Sequence, residues 1–130
     1  MKNKFYLGID IGGTKIRGIL LNKSRNQRLF AFQVKTPKNR KSFLEILEKE
    51  VRKILQKRKI IGIGIGLPGI VDVRRGLFIK APNLPFLNGW QAKNSLKDSG
   101  LKQNLTMTVA VFCAPKPFWE PGKNIKTLSV

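Results

Sequence analysis

The chain has 130 residues, enough for one domain with a single core but short for an enzyme that closes two lobes around a substrate. It carries 26 Lys and Arg against 7 Asp and Glu, a formal net charge of +19, with one cysteine and no histidine. A single cysteine excludes an internal disulfide, and without histidine the chain has no zinc ligand set.

The first half of the sequence predicts three strands. Phe5–Asp10 and Ile16–Leu21 are apolar runs on either side of Ile11-Gly-Gly-Thr-Lys15, which is typical of a hairpin. Arg28–Val34 alternates polar and apolar residues as a third strand would. Three consecutive strands joined by short turns predict an antiparallel meander.

A helix and a glycine-rich strand are predicted next. Ser42 is expected to cap a helix whose apolar residues recur at i, i+3, i+4 and i+7 as far as Leu55. In Ile60–Gly66 isoleucine alternates with glycine, which indicates a buried strand that lets a partner approach its backbone. Further elements are a short strand at Leu77–Ile79 and a helix at Trp90–Leu96. The order βββαβ predicts an α/β sheet with an antiparallel start and a parallel addition.

The predicted hairpin turn has the chemistry of a phosphate site. Backbone amides of Gly12 and Gly13 can face a phosphate, Thr14 adds a hydroxyl donor and Lys15 adds a positive charge. Asp10 can hold the Mg²⁺ that accompanies a nucleotide, directly or through water. On these residues alone, an ordinary Gly-Gly hairpin without a ligand is an equal alternative.

Two segments in order carry a family resemblance. Leu7-Gly-Ile-Asp-Ile-Gly-Gly-Thr-Lys15 resembles the first phosphate motif of the ROK family of sugar kinases and sugar-responsive repressors. Gly62–Gly69, followed by Ala81-Pro-Asn-Leu-Pro85 and Trp90, is similar to the sugar-side segment of that family. The resemblance covers Lys4 to Leu101. It implies the ribonuclease-H-like N-terminal lobe of the actin/hexokinase superfamily, here incomplete.

The resemblance also implies ligands and partners. ATP with Mg²⁺ would bind at the hairpin, and a hexose would meet Asn83 and Gly69, because an amide side chain matches the donor and acceptor character of a hydroxyl. Intact family members are expected to be homo-oligomers. Family repressors carry a helix-turn-helix ahead of the phosphate motif, which here follows Met1 closely, so we expect a kinase and not a repressor.

The C-terminal part departs from the family pattern. The resemblance calls for an E-N-D-A-N motif whose Asp is the general base, yet Glu120 is the only acid after Leu101. In a frame shifted by one base, the genetic code forces Asp across Met107–Thr108 and Gly across Trp119–Glu120, where the family has them. We hypothesise a one-base slip near Lys102–Leu105. The expectation is a kinase lobe over residues 1–101, an aberrant tail over 102–130, no catalytic base and no activity.

Two other functions stay open at this stage. One is a basic module that binds nucleic acid, whose binding would depend steeply on salt and survive alteration of Asp10. The basic residues are scattered and not interleaved with stacking aromatics, so nucleic acid is the less favoured partner. The other is a sensor that binds sugar or nucleotide without turnover. No apolar run is long enough for a membrane span. The basic start from Met1 to Tyr6 lacks the apolar stretch and small-residue cleavage site of a signal peptide, so we expect the chain to stay in the cytoplasm.

Overall fold

The computed structural model of the chain describes residues 4–24, 26–98 and 108–113. Its regular elements, in chain order, are β1 (Phe5–Ile11), β2 (Lys15–Asn22), β3 (Gln27–Lys35), α1 (Arg40–Lys57), β4 (Ile60–Leu67), β5 (Ile70–Asp72), β6 (Leu77–Lys80), a 3-10 turn (Pro85–Leu87), β7 (Trp90–Gln91), α2 (Ala92–Asp98) and β8 (Thr108–Cys113). No helix in these ranges is long and apolar enough to cross a membrane.

The strands form two sheets. The larger sheet has the order β3-β2-β1-β4-β8, in which β1 to β3 are antiparallel while β4 and β8 run parallel to their neighbours. The smaller sheet has the order β5-β6-β7 and is antiparallel. The predicted antiparallel start with a parallel addition is confirmed.

One apolar core joins both sheets to α1. The strand β1 buries every second residue into it, and Phe43 of α1 is fully buried. The ring of Phe43 makes edge contacts with Trp90 at 5.2 Å and with Phe86 at 6.0 Å between centroids, while Trp90 stacks on Phe78 at 5.6 Å. This aromatic cluster attaches the smaller sheet to α1 and holds the loops between them.

The alternation in β4 follows from its place in the middle of the sheet. Ile63, Ile65 and Leu67 are buried in the core. The glycines between them lie on the opposite face of the sheet and are register partners of residues in β1. Gly66 is the register partner of Asp10. The glycines therefore remove side chains from the face of the sheet that carries Asp10.

The predicted cap of α1 is wrong. Asn39, in an extended conformation (φ −142°, ψ 157°), is the N-cap, and its side chain accepts a hydrogen bond from the backbone N–H of Ser42 at 2.8 Å. Ser42 therefore lies three residues inside the cap. Because both are capping residue types, the pattern alone did not decide between them.

The smaller sheet was only partly predicted. The strand predicted at Leu77–Ile79 is confirmed as β6, but β5 and β7 were missed, and the second helix begins at Ala92 instead of Trp90. Trp90 pairs with Phe78 across β6 and β7. Strands of three and two residues are too short to show alternation, so cross-strand pairing determines them.

The strand β8 lies within the stretch predicted to be aberrant. It pairs with β4 over Gly62 to Leu67 and extends the sheet by one parallel strand. Most of residues 102–130 fall outside the described ranges. The domain boundary at residue 101 therefore stays a prediction.

Candidate functional site

The turn between β1 and β2 is tight and solvent-facing. The backbone N–H of Gly12 donates to the carbonyl of Lys15 at 2.9 Å, and Gly13, Thr14 and Lys15 are exposed. Gly12 and Gly13 are not among the described glycines with positive φ, so left-handed backbone is not what requires them. A Cβ atom on Gly12 would lie 3.1 Å from the Lys15 carbonyl oxygen, so close approach explains this glycine.

A residue that sequence reasoning missed supports the turn. Thr36 is 5% exposed, its hydroxyl donates to the Gly12 carbonyl at 2.8 Å, and its backbone N–H donates to the Thr14 carbonyl at 2.9 Å. Thr36 lies two residues beyond the strand predicted at Arg28–Val34, and no role was predicted for it. A polar residue just after a predicted strand gives no sign of these long-range hydrogen bonds.

Asp10 lies near the carboxyl end of β1, beside the turn. It pairs with Arg17 of β2 on one side and with Gly66 of β4 on the other. Burial raises the pKa of its carboxyl above the ordinary value, and the charge of Arg17 opposes that rise. A half-buried carboxylate next to turn amides is a hard oxygen ligand of the kind that Mg²⁺ takes.

Asn83 is brought against the turn. A Cβ atom on Gly13 would lie 3.7 Å from the Cβ of Asn83, so the predicted phosphate and sugar residues meet although they come from different halves of the chain. The loop that carries Asn83 is closed by Asn88, which accepts the Ala81 N–H at 2.7 Å. Asn88 was not predicted, because loop asparagines give no signal of which backbone group they bind.

Gly69 is placed where β4 turns toward the smaller sheet. Its φ is 153°, and a Cβ atom there would overlap the carbonyl oxygen of Lys80 and lie 3.2 Å from the Cα of Ala81. Packing against β6 therefore requires glycine at this position. That Gly69 also contacts a sugar stays a prediction, as do the ligand roles of the other site residues.

The described carboxyl ends of the parallel strands β4 and β8 bring no acid to this region. Gly66 and Leu67 of β4 pair with Phe112 and Cys113 of β8, so the ends of these strands lie together. Among the described residues at these two strand ends, none is Asp or Glu. Asp72, the last residue of β5, accepts a hydrogen bond from the Arg75 N–H at 3.1 Å, as expected of a turn-forming acid.

Comparison with known proteins gives a consistent pattern. The model of the ROK family matches residues 6–112. The glucokinase of Halalkalibacterium halodurans is 26% identical over 100 residues, covering 70% of this chain and 28% of that protein. The xylose repressor of Caldicellulosiruptor bescii is 36% identical over 89 residues, covering 63% of this chain and 22% of that protein.

Solved structures agree with these relatives. A ROK glucokinase from Streptomyces griseus, in complex with glucose and AMPPNP, superimposes with a TM-score of 0.66 and 26% identity. The match covers 82% of this chain and 32% of that one. The chain thus spans about a quarter of the length of these curated relatives and about a third of this structural neighbour.

Proposed function

The chain belongs to the ROK family and has the ribonuclease-H-like fold of an actin/hexokinase N-terminal lobe; from that premise we propose that it descends from an ATP-dependent hexose kinase. In this proposal the 130-residue chain retains the surface that binds nucleotide phosphate and part of the surface that binds sugar. It does not complete the transfer.

The meeting of Gly13 with Asn83 is the observation that carries the proposal. A kinase must hold the phosphoryl donor and the acceptor hydroxyl within reach of each other, because positioning is a large part of phosphoryl transfer catalysis. The 3.7 Å approach brings the two predicted binding segments to one place. The Streptomyces griseus glucokinase, which holds both glucose and AMPPNP, supports the same pairing of ligands here.

Each residue of the turn has a role in this proposal. The amides of the turn, the Thr14 hydroxyl and the Lys15 ammonium bind the phosphates, since backbone N–H groups and a cation complement an anion. Asp10 holds Mg²⁺, which would neutralise charge on the phosphates when bound. The Asn83 amide binds sugar hydroxyls.

The proposed loss of catalysis follows from the missing acid. Proton removal from the attacking hydroxyl by a positioned base contributes about 10²- to 10⁴-fold to a rate. The described ends of β4 and β8 offer no carboxylate for that step.

An assay of hexose-dependent ADP formation tests the proposal. The chain is incubated with Mg·ATP and glucose, fructose, mannose or N-acetylglucosamine, beside the Streptomyces griseus glucokinase. We expect no turnover, together with a rise in melting temperature on addition of Mg·AMPPNP. Turnover would contradict the proposed inactivity, and a melting temperature that no nucleotide raises would contradict the retained nucleotide surface.

Sequencing of the coding DNA tests the proposed descent. The stretch to read extends from Asn94 through the stop codon and beyond. An extra or missing base, followed downstream by an acidic Asn-Asp motif, would support an ancestral kinase with an altered tail. A corrected frame without that motif would contradict the kinase proposal.

The similarity to the xylose repressor favours a second candidate, a sensor that binds sugar without turnover. This candidate predicts a thermal shift with a sugar such as xylose and none with Mg·AMPPNP. The kinase-derived site predicts the nucleotide shift. The two candidates are therefore separated by which ligand stabilises the fold.

A further inference from the structure

Thr36 binds two carbonyl groups of the same turn. Its hydroxyl donates to Gly12 at 2.8 Å and its backbone N–H donates to Thr14 at 2.9 Å. The backbone bond extends the β2–β3 ladder by one pair beyond Lys15 and Lys35. The hydroxyl bond is additional to the ladder and attaches the far side of the turn to the end of β3.

These two hydrogen bonds determine where the amides of the turn point. In a planar trans peptide, the C=O of one residue and the N–H of the next point in opposite directions. The Gly12 carbonyl faces Thr36, so the Gly13 N–H faces away from it, and Gly13 is exposed. The Thr14 carbonyl faces β3, so the Lys15 N–H faces β1, on the same side as the Lys15 carbonyl that accepts from Gly12.

Thr36 itself cannot be a ligand contact, since its side chain is 5% exposed and its hydroxyl is already committed. We propose that Thr36 is a positioning residue that holds the β1–β2 turn with the Gly13 amide aimed at bound phosphate. This inference rests on the proposed function, because it assigns that amide to the nucleotide. Preorganised amides bind an anion without the entropy loss of ordering the turn.

The test compares Thr36→Val, which keeps the shape and removes the donor, with Thr36→Ser, which keeps the donor. Asn22→Ala is the matched control. Asn22 is a buried polar residue at the opposite end of β2, and its side chain accepts the Ser24 N–H at 3.1 Å. All three variants are made in the full 130-residue chain, and hydrogen exchange of the Gly12 amide is measured without ligand.

We expect the Gly12 amide of Thr36→Val to exchange about tenfold faster than in the wild type, because the turn opens without unfolding the sheet. Its Kd for Mg·AMPPNP, measured by calorimetry, should rise about five- to tenfold, as expected for one lost hydrogen bond. Thr36→Ser and Asn22→Ala should stay within about twofold of the wild type in both measurements.

Each alternative result has a distinct meaning. The positioning role would be overturned if the Gly12 amide of Thr36→Val exchanged at the wild-type rate. It would also be overturned if Thr36→Val and Thr36→Ser changed the exchange rate equally. Faster exchange with unchanged affinity would show that the turn is held for a purpose other than phosphate, which also overturns the inference. Failure of the wild type to bind Mg·AMPPNP would contradict the proposed function, and with it the phosphate role of Thr36, while the exchange data would still decide whether Thr36 holds the turn.

Discussion

Gly69 lies directly against the backbone of Lys80, where the end of the larger sheet meets the smaller one. No side chain fits there, because a Cβ atom would overlap the Lys80 carbonyl oxygen. The next residue along, Ala81, begins the loop that carries Asn83. The position of the predicted sugar loop relative to the phosphate turn therefore depends on glycine at position 69.

Gly69→Ala should lower the free energy of unfolding by about 3 kcal/mol, from steric overlap added to an unfavourable φ. Gly89→Ala is the control, because Gly89 also has a positive φ (77°) but nothing within 4 Å of an added Cβ. It should lose only about 1 to 2 kcal/mol. Urea unfolding of both variants measures the difference, and equal losses would show that the contact with Lys80 is not restrictive.

Asn39→Ala should lower the free energy of unfolding by about 1 kcal/mol, because the Ser42 N–H loses its acceptor. Ser42→Ala should change it by less than about 0.5 kcal/mol, since the Ser42 side chain is not the cap. Thermal unfolding of the two variants checks this assignment. The reverse order of effects would restore the cap predicted from the sequence.

Phe43→Ala should lower the free energy of unfolding by about 3 to 5 kcal/mol, because it leaves a cavity between α1, Phe86 and Trp90. Phe30→Ala removes the same side chain from a position that is 68% exposed and should change stability by less than about 0.5 kcal/mol. Chemical unfolding compares the pair. Similar losses would mean that the Phe43 contacts do not attach the smaller sheet to α1.

Asp10 should make the fold less stable as pH rises. Burial raises the pKa of its carboxyl in the folded state, so between the unfolded pKa of 3.8 and the folded value the native state binds more protons. The free energy of unfolding then falls with rising pH across that window. The stability of Asp10→Asn should therefore rise relative to the wild type as pH increases through that window. A stability difference that is constant with pH would contradict the raised pKa.

Strong periodicity made most of the larger sheet predictable. The apolar runs of β1, β2 and β4 and the helical spacing of α1 reflect burial on one face, which one sequence displays. The strands β5 and β7 have too few residues to show a period. Their formation depends on pairing with β6, a tertiary effect outside any local window.

The site was predictable in its parts but not in its supports. The chemistry of Asp10 to Lys15 was readable from residue types, and Asn83 came from the family resemblance. Thr36 and Asn88 could not be found, because the side chain of each binds a backbone group that no local pattern identifies: the Gly12 carbonyl for Thr36 and the Ala81 N–H for Asn88. Residue type indicates that such a bond can form and not where its partner lies.

Calorimetric titration of Mg·AMPPNP into the full chain and into Asp10→Asn tests the central claim that the β1–β2 turn is a nucleotide phosphate site. We expect saturable one-to-one binding to the wild type and at least about tenfold weaker binding to Asp10→Asn, which lacks the charge that holds Mg²⁺. A wild-type chain that does not bind Mg·AMPPNP, or equal affinities of the two proteins, would contradict a phosphate site at this turn.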